Sequence, residues 1–403
     1  MDTRYTAKRR LTRDDYTIGI VYARSVEMHA ILTMLDEEHE SLQLPKADEN
    51  EYILGRIGPH NIIVVGPPRG EQGKVAISTV VTQIRFSFWN VRIGLLVGVG
   101  DGVPRDGHDV RLGDVVVSAP EKGPAVVQYD LGVWSTDGFI EVTRALGSPP
   151  PQLLSLVNKV EDRYQRLMEG EESFFTRHLK RFEHFPDLKD TYRRPNLPDL
   201  LFPPDFLHEA GKDCILHHED YQLIRYPQER WRDIEIHHST ILSGDSTMSC
   251  GRRRDELSAQ HHNALCFETE AAGLMDIFPC LVIRGICGYA DSHRNEEWQG
   301  YAAATAAAYA REILCNMAER VSGELELSSA ERQNAIERRE LEERIEFLRL
   351  LYFTGNNHPE ISMESAYINT YEWIEDTTKY RDRKSPGGEK LLITGKETKG
   401  SQH

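Results

Sequence analysis

Two glutamates that could bind a ligand, Glu268 and Glu270, stand where a short apolar run ends and a segment with helical spacing begins. A carboxylate can accept two hydroxyl hydrogen bonds at once, so this pair could bind a ligand that presents neighbouring hydroxyl groups. The same two acids could instead complement the positive end of a helix dipole. The spacing alone leaves both interpretations open.

Glu27 and a glycine-rich turn could add to such a site. Glu27 follows the apolar run 17–21, and taken alone it is equally an ordinary acid in the first turn of a helix. The turn at residues 98–104, Gly-Val-Gly-Asp-Gly-Val-Pro, places small residues where a backbone could approach a ligand closely. Pairs of adjacent histidines do not predict a metal site, because neighbours on a strand point to opposite faces and no carboxylate lies at ligand spacing.

These candidates lie at the ends of apolar runs that alternate with helix-like segments between Tyr16 and Val321. Most runs are continuous, as expected for strands buried on both faces. The alternation predicts an α/β fold with a mixed central sheet covered by helices, plus a C-terminal helical extension. The predicted strands are residues 17–21, 61–66, 93–99, 114–118, 239–243 and 280–287. The predicted helices are residues 26–36, 73–86, 268–278 and 298–321.

Composition limits the classes of partner. A formal net charge of −16 argues against nucleic acid or an anionic membrane as the main partner, because both require a surplus of Lys and Arg.

The 6 cysteines lack Cys-x-x-Cys spacing, which favours reduced thiols and a cytosol-like compartment. The basic N-terminus is not followed by an apolar stretch, and no run approaches the roughly 20 apolar residues that span a bilayer. We expect a soluble, cytoplasmic protein.

Changes in composition predict four parts: an N-terminal tail at 1–15, a main domain at 16–325, a helical linker at 326–384 and a short tail at 385–403. Within the main domain, residues 149–237 begin with three prolines and become charged, aromatic and proline-rich, so we interpret them as a surface insertion.

Taken in order, the motifs resemble the nucleoside phosphorylase and nucleosidase superfamily, whose members cleave the N-glycosidic bond between ribose and a base. The resemblance is carried by Cys-Phe-Glu-Thr-Glu-Ala-Ala-Gly-Leu-Met at 266–275, Arg-Gly-Ile-Cys-Gly-Tyr-Ala-Asp-Ser at 284–292, the turn at 98–104 and Arg-Leu-Gly-Asp-Val-Val-Val-Ser at 111–118. It is greatest for a fungal form that often precedes a helical linker and a NACHT domain in NOD-like receptors. It implies a purine nucleoside or nucleotide as ligand, with phosphate as an open alternative, no cofactor or metal, and a homo-oligomer.

The resemblance also implies roles for individual residues. Glu270 would bind the ribose hydroxyls, and Glu268 would either assist or serve the scaffold. Glu27 would bind and activate the attacking water, as in the nucleosidase branch, whereas Arg24 keeps phosphate open as the nucleophile. The residues expected around the base and ribose are Gly100, Asp101, Gly102, Ser243, Thr247, Met248 and Thr269.

Gly288 stands where the family has the aspartate that protonates the departing purine. Glycine has no proton to give, and loss of a general acid typically lowers a rate by about 10²–10⁴-fold. Asp291 could substitute for it, although capping the next helix is the simpler role. Asp101 stands where the family usually has glycine, and it could crowd the pocket, repel a phosphorylated substrate or offer a new proton donor.

Two functions therefore stay open. In the first, the chain is a purine nucleosidase or phosphorylase-like enzyme with altered chemistry. In the second, it is a catalytically inactive pseudoenzyme that senses a ligand or oligomerises, derived from a NOD-like receptor. The tail favours a receptor relationship, because Gly395 to Gly400 resembles the start of a P-loop. Ser401 and Gln402 stand where that motif needs Lys-Ser or Lys-Thr, so we interpret the tail as vestigial.

Overall fold

A mixed sheet of 11 strands lies at the centre of the described part of the chain, which confirms the predicted α/β class. The computed structural model describes residues 8–134, 140–141, 146–208, 232–294 and 296–318. Its strands are β1 (Ile18–Val21), β2 (Glu37–Glu38), β3 (Ile53–Ile57), β4 (His60–Val65), β5 (Ile93–Gly102), β6 (Val115–Val117), β7 (Val126–Gln128), β8 (Val133–Trp134), β9 (Ile140–Glu141), β10 (Ile236–His238), β11 (Ile241–Ser243), β12 (Cys266–Glu268) and β13 (Cys280–Gly288). Its α-helices are α1 (Ser25–Thr33), α2 (Lys74–Ser87), α3 (Pro151–Gln165), α4 (Phe174–Leu179), α5 (Lys189–Tyr192), α6 (Gly251–Gln260) and α7 (Gln299–Asn316).

The long strand β5 organises the sheet. Strands follow the order β10-β6-β13-β5-β1-β4-β3-β2, while β7, β11 and β12 branch from this path. Both β1 and β13 run parallel to β5, so the carboxyl ends of these three strands meet at one edge. Strand β12 pairs antiparallel with the last residues of β5, with Phe267 opposite Asp101. The crevice beside such carboxyl ends is where α/β sheets usually bind ligands.

Helix α7 is the main helix packed on the sheet. It is alanine-rich and buried along most of its length, which suits a helix covered on every side. Gly285 on β13 allows this approach, because a Cβ there would overlap the backbone of Ala302. Within the described part of the chain, no helix combines the length and apolarity needed to cross a membrane.

Residues 149–208 are not the surface insertion that we predicted. Helices α3, α4 and α5 carry apolar side chains into the core cluster that also contains α7; Val157, Phe175 and Tyr192 are 2%, 1% and 3% exposed. The Tyr192 hydroxyl also donates to the carbonyl of Val26, 2.7 Å away, and so ties this segment to α1. Averaging composition over the whole segment had obscured its buried residues. Residues 209–231 of the predicted insertion lie outside the described residues.

The predicted helix at 268–278 is also wrong. Strand β12 ends at Glu268, and only a single 3-10 turn, Ala271–Gly273, follows it. The Glu268 carboxylate accepts hydrogen bonds from the backbone amides of Glu270 and Ala271, which holds the chain in a tight turn. The predicted linker at 326–384 and tail at 385–403 lie outside the described residues.

Candidate functional site

A cavity lies where α1 and the carboxyl ends of β5, β12 and β13 converge. Most of the residues predicted from sequence line it: Glu27, Gly100, Asp101, Thr247, Glu268, Thr269, Glu270 and Gly288. Residues that sequence reasoning did not place there also line it: Val99, Phe267, Cys287, Arg294, Glu296 and Gln299. Arg24, the predicted alternative phosphate ligand, lies in the lining as well.

Four predicted residues are not among the described residues that line the cavity: Gly102, Ser243, Met248 and Asp291. A Cβ on Gly102 would lie 2.9 Å from side-chain carbons of Ile286 and Val110, so this glycine serves packing. Met248 packs beside a small apolar cluster that includes Phe267.

Ser243 and Asp291 instead support the backbone around the cavity. The Ser243 hydroxyl donates a hydrogen bond to the Glu268 carboxylate and accepts one from the backbone amide of Ala272 at 2.9 Å, so it positions the turn that carries the glutamates. Asp291 is 6% exposed, and its carboxylate accepts the backbone amide of His293 at 2.8 Å. This is a local capping contact of the kind that the sequence predicted as the simpler role.

Arg284, which sequence reasoning missed as a site residue, lies beneath the carboxylates. It sits in the middle of β13 and is fully buried, at 0% exposure. Its Nη2 donates to Glu268 and to Glu270 Oε2, the latter at 3.0 Å, and its Nη1 lies 3.9 Å from Glu27 Oε1. A single arginine inside the apolar run 280–287 was the available signal, because a buried charge requires partners.

Three carboxylates share this one guanidinium. Burial alone would lower the pKa of Arg284, but Glu268, Glu270 and Glu27 together raise it above its usual value. Burial raises the pKa of Glu27 and of Glu268 despite the opposing effect of Arg284, and the nearby Glu270 raises both further. Three carboxylates beside one guanidinium give a net negative charge when all three are ionised, and that state would favour a ligand or transition state that carries positive charge.

Glu268 and Glu270 differ in how many hydrogen bonds their carboxylates can still accept. Glu268 accepts hydrogen bonds from the amides of Glu270 and Ala271, the Ser243 hydroxyl and the Arg284 guanidinium, so its acceptor positions are filled by the protein. Glu270 accepts the Thr269 hydroxyl on Oε1 and Arg284 on Oε2. A carboxylate has about four acceptor positions, so Glu270 can still accept two ligand hydroxyls. Glu268 is thus scaffold and Glu270 is the available acceptor.

Glu27 lies at the beginning of α1 and also lines the cavity. Its Oε2 accepts the amides of Ala23 and Arg24 at 2.8 and 2.9 Å, which fixes the beginning of α1. Its Oε1 accepts a hydrogen bond from the amide of Val99 at 2.9 Å, and Val99 lines the cavity as well. Three backbone donors therefore hold the carboxylate rigidly, and Oε1 keeps an acceptor position for a water molecule.

Asp101 and Gly288 lie opposite each other where β5 and β13 reach the cavity. They are register partners on β5 and β13, just after a bulge between Ile286 and Gly288. The Asp101 side chain is 18% exposed, and Arg294 Nη2 donates to its Oδ2 at 3.2 Å. Burial raises the pKa of Asp101 to about 6, opposed by the positive charge of Arg294. Among the described residues, no group of His, Cys, Asp and Glu is arranged to hold a metal ion.

The chain is similar in sequence to an NLR-like protein. No family model matches the sequence. A nucleotide-binding leucine-rich repeat (NLR)-like protein of Hyaloscypha variabilis is 36% identical over 320 residues, an alignment that spans 78% of this chain but 31% of that protein. This chain therefore corresponds to less than a third of that relative.

Solved structures similar to this chain include futalosine hydrolase of Helicobacter pylori, with 18% identity and a TM-score of 0.48 over 75% of this chain and 99% of the other. The 5'-methylthioadenosine/S-adenosylhomocysteine nucleosidase of Helicobacter pylori has 19% identity and a TM-score of 0.48 over 75% and 100%. The nucleosidase of Neisseria meningitidis, in complex with methylthio-immucillin-A, has 14% identity and a TM-score of 0.47 over 75% and 99%. The sequence similarity to an NLR-like protein agrees with the receptor relationship that the sequence predicts.

Proposed function

We propose that this chain binds a purine nucleoside and cleaves its N-glycosidic bond, with water as the attacking nucleophile. One observation carries the proposal: Glu270 is 3% exposed, lines the cavity and keeps free acceptor positions while Arg284 holds it in place. A fixed carboxylate of this kind suits the paired hydroxyls of a ribose. The motif resemblance of the sequence supplies the same assignment.

The surplus of negative charge supports cleavage as well as binding. When the bond between ribose and base breaks, positive charge develops on the ribose ring. The cluster of Glu27, Glu268 and Glu270 carries that opposite charge before the reaction begins, and Arg284 prevents the carboxylates from moving apart. Charge that is already oriented costs no reorganisation in the transition state.

In this proposal Glu27 binds and activates the attacking water. Water donates a hydrogen bond to Glu27 Oε1 and attacks the anomeric carbon, while the electron pair of the breaking bond moves to the base. The water proton passes to Glu27, whose pKa is raised by burial and which is therefore a stronger base than an exposed glutamate. Arg24 lines the same cavity, so phosphate is the alternative nucleophile that must be tested.

The test is release of free base from a panel of purine nucleosides, measured by chromatography with and without phosphate. We expect release without phosphate, with free ribose as the second product. In water enriched in ¹⁸O, the ribose should carry one ¹⁸O atom at its anomeric carbon. Formation of ribose 1-phosphate, with no release in phosphate-free buffer, would contradict water as nucleophile.

A second function, ligand sensing without turnover, is favoured by the NLR-like relative and by the glycine at position 288. In that case the Glu270 and Arg284 contacts would serve binding alone. Isothermal titration with the same nucleosides distinguishes the two: binding that Glu270→Gln weakens, without any base release, supports a sensor. We also propose a homo-oligomer, as the motif resemblance implies, and light scattering of the purified chain tests it.

A further inference from the structure

The side-chain position of residue 288 is already occupied in this protein. A Cβ built on Gly288 would lie 2.5 Å from Asp101 Oδ1, closer than real Cβ atoms approach other atoms. The two residues are paired on parallel neighbouring strands, β13 and β5, where both strands reach the cavity. The carboxyl group of Asp101 therefore takes the space into which a side chain at 288 would extend.

From this geometry we propose that Asp101 is the acid that protonates the departing base. The proposal rests on the proposed function above and deepens it. The acidic group has been exchanged between neighbouring strands: a carboxyl on β5 and glycine on β13. Glycine at 288 is then a requirement of the arrangement, because any larger residue would displace the Asp101 carboxyl.

The two oxygens of Asp101 have different environments. Oδ2 accepts a hydrogen bond from Arg294, whose side chain is 49% exposed. Oδ1 instead faces Gly288 on the neighbouring strand. A proton on Oδ1 would therefore lie beside Gly288, which lines the cavity, while the contact of Arg294 with Oδ2 restrains the rotation of the carboxyl group. The ionisable groups that act on Asp101 or respond to it are Arg294, Asp291, Arg24, Cys266 and Cys287. Burial outweighs the two arginines and raises the pKa of Asp101 to about 6, within the range of a working general acid.

The protons balance in this scheme. Asp101 gives the proton on Oδ1 to a ring nitrogen of the base as the glycosidic bond breaks. The electron pair of that bond stays with the base. The base leaves neutral, and Asp101 becomes a carboxylate that Arg294 stabilises. Water adds to the anomeric carbon and gives its proton to Glu27. Solvent then takes the proton from Glu27 and returns one to Asp101, which keeps 18% of its side chain exposed.

The experiment compares two substrates on four proteins. Inosine needs a proton on its base to leave, whereas 7-methylguanosine already carries a positive charge on the base and needs none. The proteins are the native chain, Asp101→Asn, Gly288→Asp, and the exchange variant with both Asp101→Gly and Gly288→Asp. Circular dichroism and thermal unfolding confirm that each variant is folded.

We expect Asp101→Asn to cleave inosine about 10²–10⁴-fold more slowly than the native chain and 7-methylguanosine at a rate within a few fold. Gly288→Asp alone should lose activity on both substrates, because its side chain collides with Asp101. The exchange variant should regain inosine cleavage relative to Asp101→Asn. For the native chain, kcat/KM on inosine should fall above about pH 6, and that fall should be absent with 7-methylguanosine.

The experiment distinguishes failure of the Asp101 assignment from failure of the proposed function. Equal loss on both substrates in Asp101→Asn, or no loss on either, would overturn Asp101 as the acid while leaving cleavage intact. A native chain that is silent on inosine and on 7-methylguanosine, as well as on the wider nucleoside panel, would overturn the proposed function and this assignment with it.

Discussion

Arg284 Nη2 lies 3.0 Å from Glu270 Oε2, and this contact joins the middle of β13 to the turn that follows β12. The same guanidinium also reaches Glu268 on that turn and Glu27 on α1. A single buried residue thus fixes the relative positions of three carboxylates from two separate parts of the chain. The site depends on Arg284 although the guanidinium lies beneath it and does not line the cavity.

Glu268 and Glu270 should respond differently to neutralisation. Glu270→Gln removes a charged carboxylate that has free acceptor positions for a ligand. We therefore expect the Kd for a nucleoside to rise by about 10- to 100-fold, because a hydrogen bond to a charged group contributes about 1.5–3 kcal/mol. The Tm should change little. Glu268→Gln places an amide group among backbone donors and should chiefly lower Tm. Calorimetric titration and thermal unfolding of both variants measure the two effects. Equal changes in Tm for both variants would contradict the division of roles.

Removing the shared cation should destabilise the fold in a pH-dependent manner. Arg284→Met leaves the carboxylates buried without a partner, and we expect a loss of about 3–5 kcal/mol in the free energy of unfolding at pH 7. Burial already raises the pKa values of Glu27 and Glu268, so as the pH falls the folded variant takes up protons before the unfolded chain does. Its stability should therefore increase as the pH falls.

Denaturant unfolding at pH 7 and pH 5 measures that recovery. The matched control is Arg284→Lys, which keeps one positive charge and should lose less stability and recover less at pH 5. A loss of stability in Arg284→Met that is the same at both pH values would show that the carboxylates do not depend on this arginine.

The raised pKa of Asp101 should also appear in stability. The folded chain holds this proton up to about pH 6, whereas an unfolded aspartate releases it near its ordinary value of 3.8. Relative to Asp101→Asn, the native chain should be most stable below about pH 4 and lose up to about 3 kcal/mol as the pH rises through 6. Unfolding free energies from pH 4 to 7 measure this difference. The exposed Asp106→Asn serves as control and should follow the native chain; an Asp101→Asn curve parallel to it would contradict the shift.

Residues 149–208 should behave as part of the core. Phe175 is 1% exposed, and Phe175→Ala should lower the free energy of unfolding by about 3–5 kcal/mol. Phe185, in the same segment, is 43% exposed, so Phe185→Ala should change it by no more than about 0.5 kcal/mol. Urea unfolding of the two variants gives the comparison. Similar small effects at both positions would restore the interpretation of this segment as a surface addition.

The fold class was predictable because strands buried on both faces give continuous apolar runs. The runs at 93–99 and 280–287 correspond to β5 and β13 within a few residues. The helix predicted at 268–278 failed because local spacing does not show that the Glu268 carboxylate binds the two amides that follow it. A side-chain contact of this kind competes with helix formation.

The site was predictable residue by residue but not as an arrangement. Motifs supplied Glu27, Glu270 and Gly288, whereas the contact of Arg284 with carboxylates from two elements depends on the tertiary fold. The placement of Asp101 against Gly288 depends on strand register and on a bulge, neither of which the sequence specifies. A side chain added at residue 288 would therefore meet the Asp101 carboxyl group, a contact that the sequence does not reveal.

The most direct test of the central claim is release of free purine base from nucleosides by the native chain in phosphate-free buffer, beside Glu270→Gln at matched concentration. We predict steady release by the native chain at about pH 6 and a kcat/KM lower by about 10- to 100-fold in Glu270→Gln, since that variant loses charged hydrogen bonds to the ribose. No release by the native chain from any nucleoside would contradict an N-glycosidic hydrolase.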